Sequence, residues 1–156
     1  MIREYAMNSE RVLCRADKTL ETAQYVADGL KDDIRDYLPC LALNISLKNK
    51  TIAGVLINDI RPLRDCWLTI YSTSERWATR SVIRYVFFVV FCVIGAQRCS
   101  VFISESNKKS FDMCVRLGFQ KEGMLRKYRE NGENCYVMGM LKNECLWIKE
   151  KQNEQK

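Results

Sequence analysis

The chain has 156 residues and a formal charge of +6, from 25 Lys and Arg against 19 Asp and Glu, and it contains no histidine. Without an imidazole there is no Ser/His/Asp triad, no Cys/His dyad and no His-ligated metal, so proton transfer falls to carboxylate, thiol, phenol, amine or water. A 47% hydrophobic chain with only 7 Gly and 2 Pro calls for one domain of regular elements and short turns, not a disordered or repetitive chain.

Arg11–Cys14 reads as a short strand. Asp17 is placed as the N-cap of a helix over Lys18–Leu30, in which Leu20, Ala23, Ala27 and Leu30 recur at helical spacing; Gly29 and the charged Lys31–Asp36 stretch end it. Leu41, Leu43, Ile45 and Leu47 alternate, Lys48-Asn49-Lys50 makes a polar turn, and Thr51–Asn58 is again apolar and β-branched, which predicts an antiparallel hairpin. Arg61-Pro62-Leu63-Arg64-Asp65 forms the next turn, Cys66–Ser72 a strand and Thr73–Ser81 a polar loop. The longest apolar run, Tyr85–Ala96, lies between Arg84 and Gln97-Arg98 and falls short of the roughly 20 residues of a membrane span. Val82–Ile94 is therefore expected to be a buried helix closed by Gly95, with a strand at Arg98–Ser104. Asn107–Leu117 is a shorter amphipathic helix stopped by Gly118. Phe119–Tyr128 and Cys135–Lys142 are strands flanking Asn131-Gly132, a dipeptide favoured in tight hairpins, and the charged tail Lys149–Lys156 is expected to fray.

The 8 cysteines (Cys14, Cys40, Cys66, Cys92, Cys99, Cys114, Cys135 and Cys145) include no C-x-x-C pair, so zinc-ribbon and thioredoxin-type readings fail. Met1–Arg15 carries no secretion signal, which fits reduced, mostly buried thiols in a cytoplasmic protein. The resulting order is strand, helix, three strands, helix, strand, helix, two strands. It predicts an α/β domain over 1–148 with a tail at 149–156: a mixed sheet of about seven strands flanked by helices, with an antiparallel N-terminal part, a parallel central pair and a C-terminal hairpin.

Asn107-Lys108-Lys109-Ser110, Leu117-Gly118-Phe119, Glu122-Gly123-Met124-Leu125-Arg126 and the stretch Met138–Trp147 together resemble the GNAT acetyltransferase superfamily. The pattern N-x-x-S, seven residues, G-F, x-x-E-G and a hairpin is most similar to the ribosomal-protein N-acetyltransferase branch and its short phage- and bacterium-encoded relatives. The element order is similar too, over roughly Leu41–Trp147. The resemblance implies a GNAT fold and direct transfer of an acetyl group from acetyl-CoA to a primary amine, on a protein N-terminus, a lysine or a small molecule, without a metal. A GNAT-fold module that has lost catalysis is the alternative. Cations spread over Arg3–Lys18, Arg61–Arg84 and Lys108–Arg129 form no recognition helix for nucleic acid, and a homodimer is compatible with the chain.

Mapped residue by residue, the resemblance places the pyrophosphate on backbone N–H groups of Ser74-Glu75-Arg76-Trp77-Ala78-Thr79-Arg80-Ser81, ahead of the apolar helix. The family's Q/R-x-x-G-x-G/A falls on Arg76, Thr79 and Ser81, with both glycines replaced; Thr79 is expected to resist positive φ and crowd the phosphate, while Arg76, Arg80 and Arg84 add positive charge. The pantetheine arm is expected along Ile70, Tyr71 and Ser72, where the strand at Val101–Ser104 splays away, and Asn107 binds the cofactor, caps its helix, or does both. Ser110 and Cys114 are the candidate proton donors to the CoA thiolate, Cys114 also reading as a structural thiol. Because Cys66–Ser72 carries no carboxylate, Glu105 is the first candidate base, with Asp59 and Glu75 behind it. Tyr71 and Trp77 are assigned to the substrate channel, Trp67 and Phe119 to the core.

Overall fold

The alternating segments become strands β1 (Val12–Arg15), β2 (Cys40–Leu47), β3 (Lys50–Arg61), β4 (Asp65–Ser72), β5 (Arg98–Ser104), β6 (Gln120–Leu125) and β7 (Cys135–Leu141) in the computed structural model, which describes residues 11–149. They form one sheet ordered β1-β2-β3-β4-β5-β7-β6, antiparallel throughout except for β4 and β5. Helix α1 (Thr19–Leu30) covers one face, where Ala23 and Val26 pack on Ala42 and Leu56. Helices α2 (Arg80–Phe88) and α3 (Lys108–Leu117) cover the other, against Leu43, Val55, Leu68 and Val101. Period-two alternation explains the division, since neighbours such as Ala42 and Leu43 are both buried but belong to opposite cores. The start of the chain up to residue 10 and the tail from residue 150 lie outside the described residues.

Lys48 and Asn49 both take left-handed φ (51° and 61°), the two-residue turn whose twist matches the strands of a hairpin. Gly54 lies under α1, where a Cβ would come within 2.5 Å of Val26. Among the described residues no helix is long and apolar enough to cross a membrane. All 8 cysteines are free; Cys92 is exposed, Cys14 and Cys40 are half-buried, and the other five are buried.

Several local expectations are corrected. Asp17 does not cap α1: its carboxylate is held by Arg15 at 2.7 Å, and the helix starts after Lys18 without a side-chain cap. Gly29 does not stop the helix either. It lies inside α1 because the Tyr71 ring occupies the space a Cβ would need, at 2.2 Å, and Lys31 in left-handed conformation makes the stop. The strand expected from Cys66 begins at Asp65, so it does carry a carboxylate, at its N-terminal end. The apolar helix is α-helical only to Phe88 and then widens into a π-helical turn over Val89–Val93, with Ile94 N–H donating to Val89 O at 2.9 Å. The wider turn lets three consecutive residues, Val89, Val90 and Phe91, all face the core. Nor is this helix buried all round, because Tyr85, Phe88 and Val93 lie exposed on its outer side. Asn131-Gly132 sits at the tip of a connection running from 126 to 134, where Gly132 N–H donates to Arg129 O at 2.8 Å and Gly132 takes φ 81°. That tip is a type I turn followed by a left-handed glycine, not a two-residue turn.

Candidate active site

The site is set by a mismatch in ladder lengths. Strands β4 and β5 pair from Asp65↔Arg98 to Leu68↔Val101, and there the parallel ladder ends. Beyond that point β4 stays bonded to β3 as far as Ser72↔Ala53, and β5 stays bonded to β7 as far as Ser104↔Cys135. The sheet therefore opens between Thr69–Ser72 and Phe102–Ser104, leaving the β5-facing main chain of Ile70, Tyr71 and Ser72 without a ladder partner. Below the opening, Leu68, Ile70, Trp77, Phe87, Val101 and Cys114 line a small, wholly apolar pocket between α2 and α3.

The β4–α2 loop closes one end of this cleft. Ser74 Oγ accepts from Arg76 N–H at 3.2 Å and starts a single 3-10 turn over Glu75–Trp77, which drives the Trp77 indole inward to 4% exposure. Ala78 follows, and Thr79 (φ −72°, ψ 156°) caps α2, its Oγ1 accepting from Val82 N–H at 3.2 Å. The expectation that Thr79 would have to strain is thus overturned: no residue of this loop takes positive φ, and the missing glycines cost no backbone strain. The consequence is chemical. The cap takes one of the helix's unpaired donors, and the N–H groups of Arg80 and Ser81 remain free of protein partners among the described residues. The exposed Arg76, Arg80 and Arg84 have no carboxylate partner among the described residues, so this end of the cleft is positive.

Helix α3 forms the opposite lip. Asn107 Oδ1 accepts from Ser110 N–H at 3.2 Å, so Asn107 is the N-cap, and Ser110 is half-buried in the first turn. Lys109 forms an ion pair with Glu75 across the mouth, which lowers the Glu75 pKa and ties up one of the candidate bases. Cys114 lines the pocket at 8% exposure, and burial pushes its thiol up to about 12. Gly118 (φ 111°) ends the helix, and Trp147 Nε1 donates to Leu117 O at 3.0 Å, satisfying one of its last carbonyls.

Glu105 is exposed directly after β5, at the open end of the cleft, its N–H donating to Asn134 O at 3.0 Å. Asp59 lies at the wrong end of the sheet: it sits in a bulge of β3 near the Asn58↔Trp67 and Arg61↔Asp65 pairs, where β4 begins. Asp65 belongs to that same closed end.

On the α1 side of the opening lies a group of residues that sequence reading did not assemble. Tyr71 faces α1 and packs on Tyr25 at 5.5 Å, and Tyr25 in turn reaches Thr73 Oγ1 at 3.4 Å. Trp67 stacks on Phe102 at 4.1 Å, and Phe102 packs on Tyr128 at 5.0 Å, so Trp67 belongs to this face and not to the main core. Phe119 is buried against Phe87, as expected for a core residue. Tyr37, from the segment after α1, donates to Asp32 and packs in the cluster that holds Tyr71. Arg129 folds back from the β6–β7 connection to donate to Ser104 Oγ at 3.0 Å. Trp77 points to the other face, into the apolar pocket.

Structures already solved share this fold. A variant of the spermidine N-acetyltransferase SpeG from Vibrio cholerae superposes with a TM-score of 0.70 at 13% identity, over 90% of this chain and 98% of that one. The ribosomal-protein-S5-alanine acetyltransferase of Vibrio fischeri gives 0.67 at 16% identity, over 89% and 97%. RimJ of Mycobacterium smegmatis, solved in complex with CoA-disulfide, gives 0.63 at 16% identity, over 87% and 84%. No protein-family model and no curated protein sequence matches the chain. These solved structures are GNAT acetyltransferases, and what they share with the chain at such identities is the architecture: this is the GNAT fold.

Proposed function

We propose that the protein transfers an acetyl group from acetyl-CoA directly to a primary amine. One observation carries the reading: the opening of β4 from β5 after Leu68↔Val101 lies beside the start of α2, where the N–H groups of Arg80 and Ser81 have no partner among the described residues. An anionic diphosphate suits such a helix start, and the surrounding Arg76, Arg80 and Arg84 favour it further. The pantetheine arm lies along the free edge of Ile70, Tyr71 and Ser72, with Trp77 and Ala78 of the β4–α2 loop at one end and Asn107 at the facing lip.

The amine arrives from the α1 side as a free base and attacks the thioester carbonyl; the C–N bond forms, the C–S bond breaks, and a thiolate leaves. Glu105, at the open end, takes the amine's proton, directly or through water. Ser110 relays a proton to the thiolate, giving its own as it takes a replacement from water. Cys114 is poorly placed for a relay that must draw its replacement proton from solvent, since it is 8% exposed in a wholly apolar pocket, whereas Ser110 is half-buried at the lip. Its place is in the apolar wall.

A second reading, a module without catalysis, is favoured by the same pocket. Trp77 fills space between α2 and α3, and the Glu75–Lys109 pair spans the mouth. Calorimetric titration with acetyl-CoA separates the two. Binding at micromolar concentration, competed by CoA and weakened at least about tenfold by Arg76→Glu, is expected for the enzyme. No heat up to millimolar acetyl-CoA would leave the module reading.

A further inference from the structure

We infer that Arg129 selects the acceptor, by binding an anionic group (a carboxylate or a phosphate) on the molecule whose amine is acetylated; this rests on the acetyl-transfer reading. Two arginines of the described chain are half-buried, Arg98 and Arg129, and they are held in opposite ways. Arg98 is paired: it donates to Ser100 Oγ and to both oxygens of Glu122 at 2.9 Å each. Arg129 donates from Nε to Ser104 Oγ at 3.0 Å and lies against the Cys135 thiol, and among the described residues no carboxylate forms an ion pair with it, although Glu133 is near enough to feel its charge. A guanidinium partly removed from water without a direct ion pair is costly, and its outer nitrogens form the fork that a carboxylate or phosphate satisfies with two parallel bonds.

The neighbouring acids are engaged elsewhere. Glu133 accepts from Ser106 N–H at 2.7 Å and from Asn131, and Asp32 accepts from the Tyr37 hydroxyl. Arg129 is near enough to Tyr37 to oppose the rise of its phenol, which places the guanidinium between the segment after α1 and the end of β5, facing the acceptor side of the opening. Ser104 stands three residues beyond Val101, where the β4–β5 ladder ends, so the anion site lies about 10 Å along the strand from the split. An amine and an anion that far apart occur in a short peptide with an acidic residue near its N-terminus and in an extended amino-carboxylate.

The test measures CoA release from acetyl-CoA with matched acceptors: 6-aminohexanoate against hexylamine, and a peptide with glutamate at its second and third positions against its glutamine counterpart. The wild type is expected to prefer the anionic member of one pair by at least about tenfold in kcat/KM, and the pair that shows it separates a small molecule from a peptide. Arg129→Gln should bring that ratio to within about twofold of unity and Arg129→Glu should invert it, with the thermal midpoint and acetyl-CoA affinity retained. A ratio near one in the wild type, a preference that survives in Arg129→Gln, or acetyl-CoA binding without turnover of either pair overturns the inference. If acetyl-CoA does not bind, it is the enzyme reading that fails. Titration of the protein alone with 6-aminohexanoate then decides: heat lost in Arg129→Gln supports the anion site, and no heat overturns it.

Discussion

Glycine 29 shows how one atom can tie a helix to the site. It sits in α1, where helix propensity alone favours alanine by about 1 kcal/mol, yet the Tyr71 ring lies 2.2 Å from where its Cβ would be. Gly29→Ala is therefore expected to destabilise the protein by about 1–3 kcal/mol through overpacking, measured by urea unfolding. Because the displaced ring belongs to β4 at the opening, acetyl-CoA affinity should fall with stability, and a variant with higher stability would refute the packing account. Ser110 and Cys114 allow a cleaner separation of roles. Ser110→Ala is expected to lower kcat by at least about 100-fold, the usual contribution of a general acid, with acetyl-CoA affinity within about twofold of wild type. Cys114→Ala should instead act on stability, since the thiol fills the wall of the pocket. Equal losses of kcat in both variants would mean that neither is the donor.

At the scale of elements, Asn107 joins two functions that pull on the same side chain. As the cap of α3 it accepts from Ser110 N–H, so Asn107→Ala is expected to cost about 1 kcal/mol in unfolding experiments, whereas Asn107→Ser keeps a cap and loses only a few tenths. If Asn107 also contacts the pantetheine, both variants weaken acetyl-CoA binding; if it only caps, the serine variant binds like wild type. The cap was legible in the sequence because it is local: Asn107, Ser110 and Gly118 lie within one helix and its stop. So were β5 from Arg98 to Ser104 and the hairpin around Lys48-Asn49, where alternation and turn chemistry agree over a few residues. The acceptor side was not, since Tyr37, Trp67, Phe102 and Arg129 meet only after the sheet has formed and the β6–β7 connection has folded back over β5. The π-helical widening was equally hidden. Tyr85–Ala96 is so uniformly apolar that it carries no period to disturb, and only the sheet beneath it shows that Val89, Val90 and Phe91 must all turn inward. The loop before α2 misled in the opposite direction: its lost glycines suggested strain, but a threonine cap in extended conformation reaches the same helix start by another route.

For the whole molecule, the absence of histidine leaves the pH dependence of stability to carboxylates on the acid side and to thiols and the raised Tyr37 phenol on the alkaline side. Of the carboxylates with lowered pKa, Asp17, Asp33 and Glu75 sit in solvent-exposed ion pairs, and Glu133 is held by the Ser106 N–H. Their stabilisation is present at neutral pH and lost as pH falls below about 4, but water and salt screen it and little is at stake. The thiols act on the other side. Burial pushes Cys14 and Cys114 from 9.0 up to about 12 and raises Cys99 as well, its nearest neighbour being Cys66 in the adjacent strand. A group with a raised folded pKa stabilises fully below its unfolded value and loses that contribution as pH climbs, because the unfolded chain releases the proton first. Between pH 9 and 12 each such thiol removes roughly 1.4 kcal/mol of stability per pH unit. The protein is thus expected to hold its stability up to about pH 8.5 and then weaken steeply, with a urea midpoint that falls by a larger step from pH 9 to 10.5 than from pH 7 to 8.5. Cys114→Ala should lower stability at pH 7 yet flatten this alkaline decline by one proton's worth of slope. An unchanged slope in that variant would show that Cys114 titrates normally in the folded state, and would refute the account of its thiol as raised by burial.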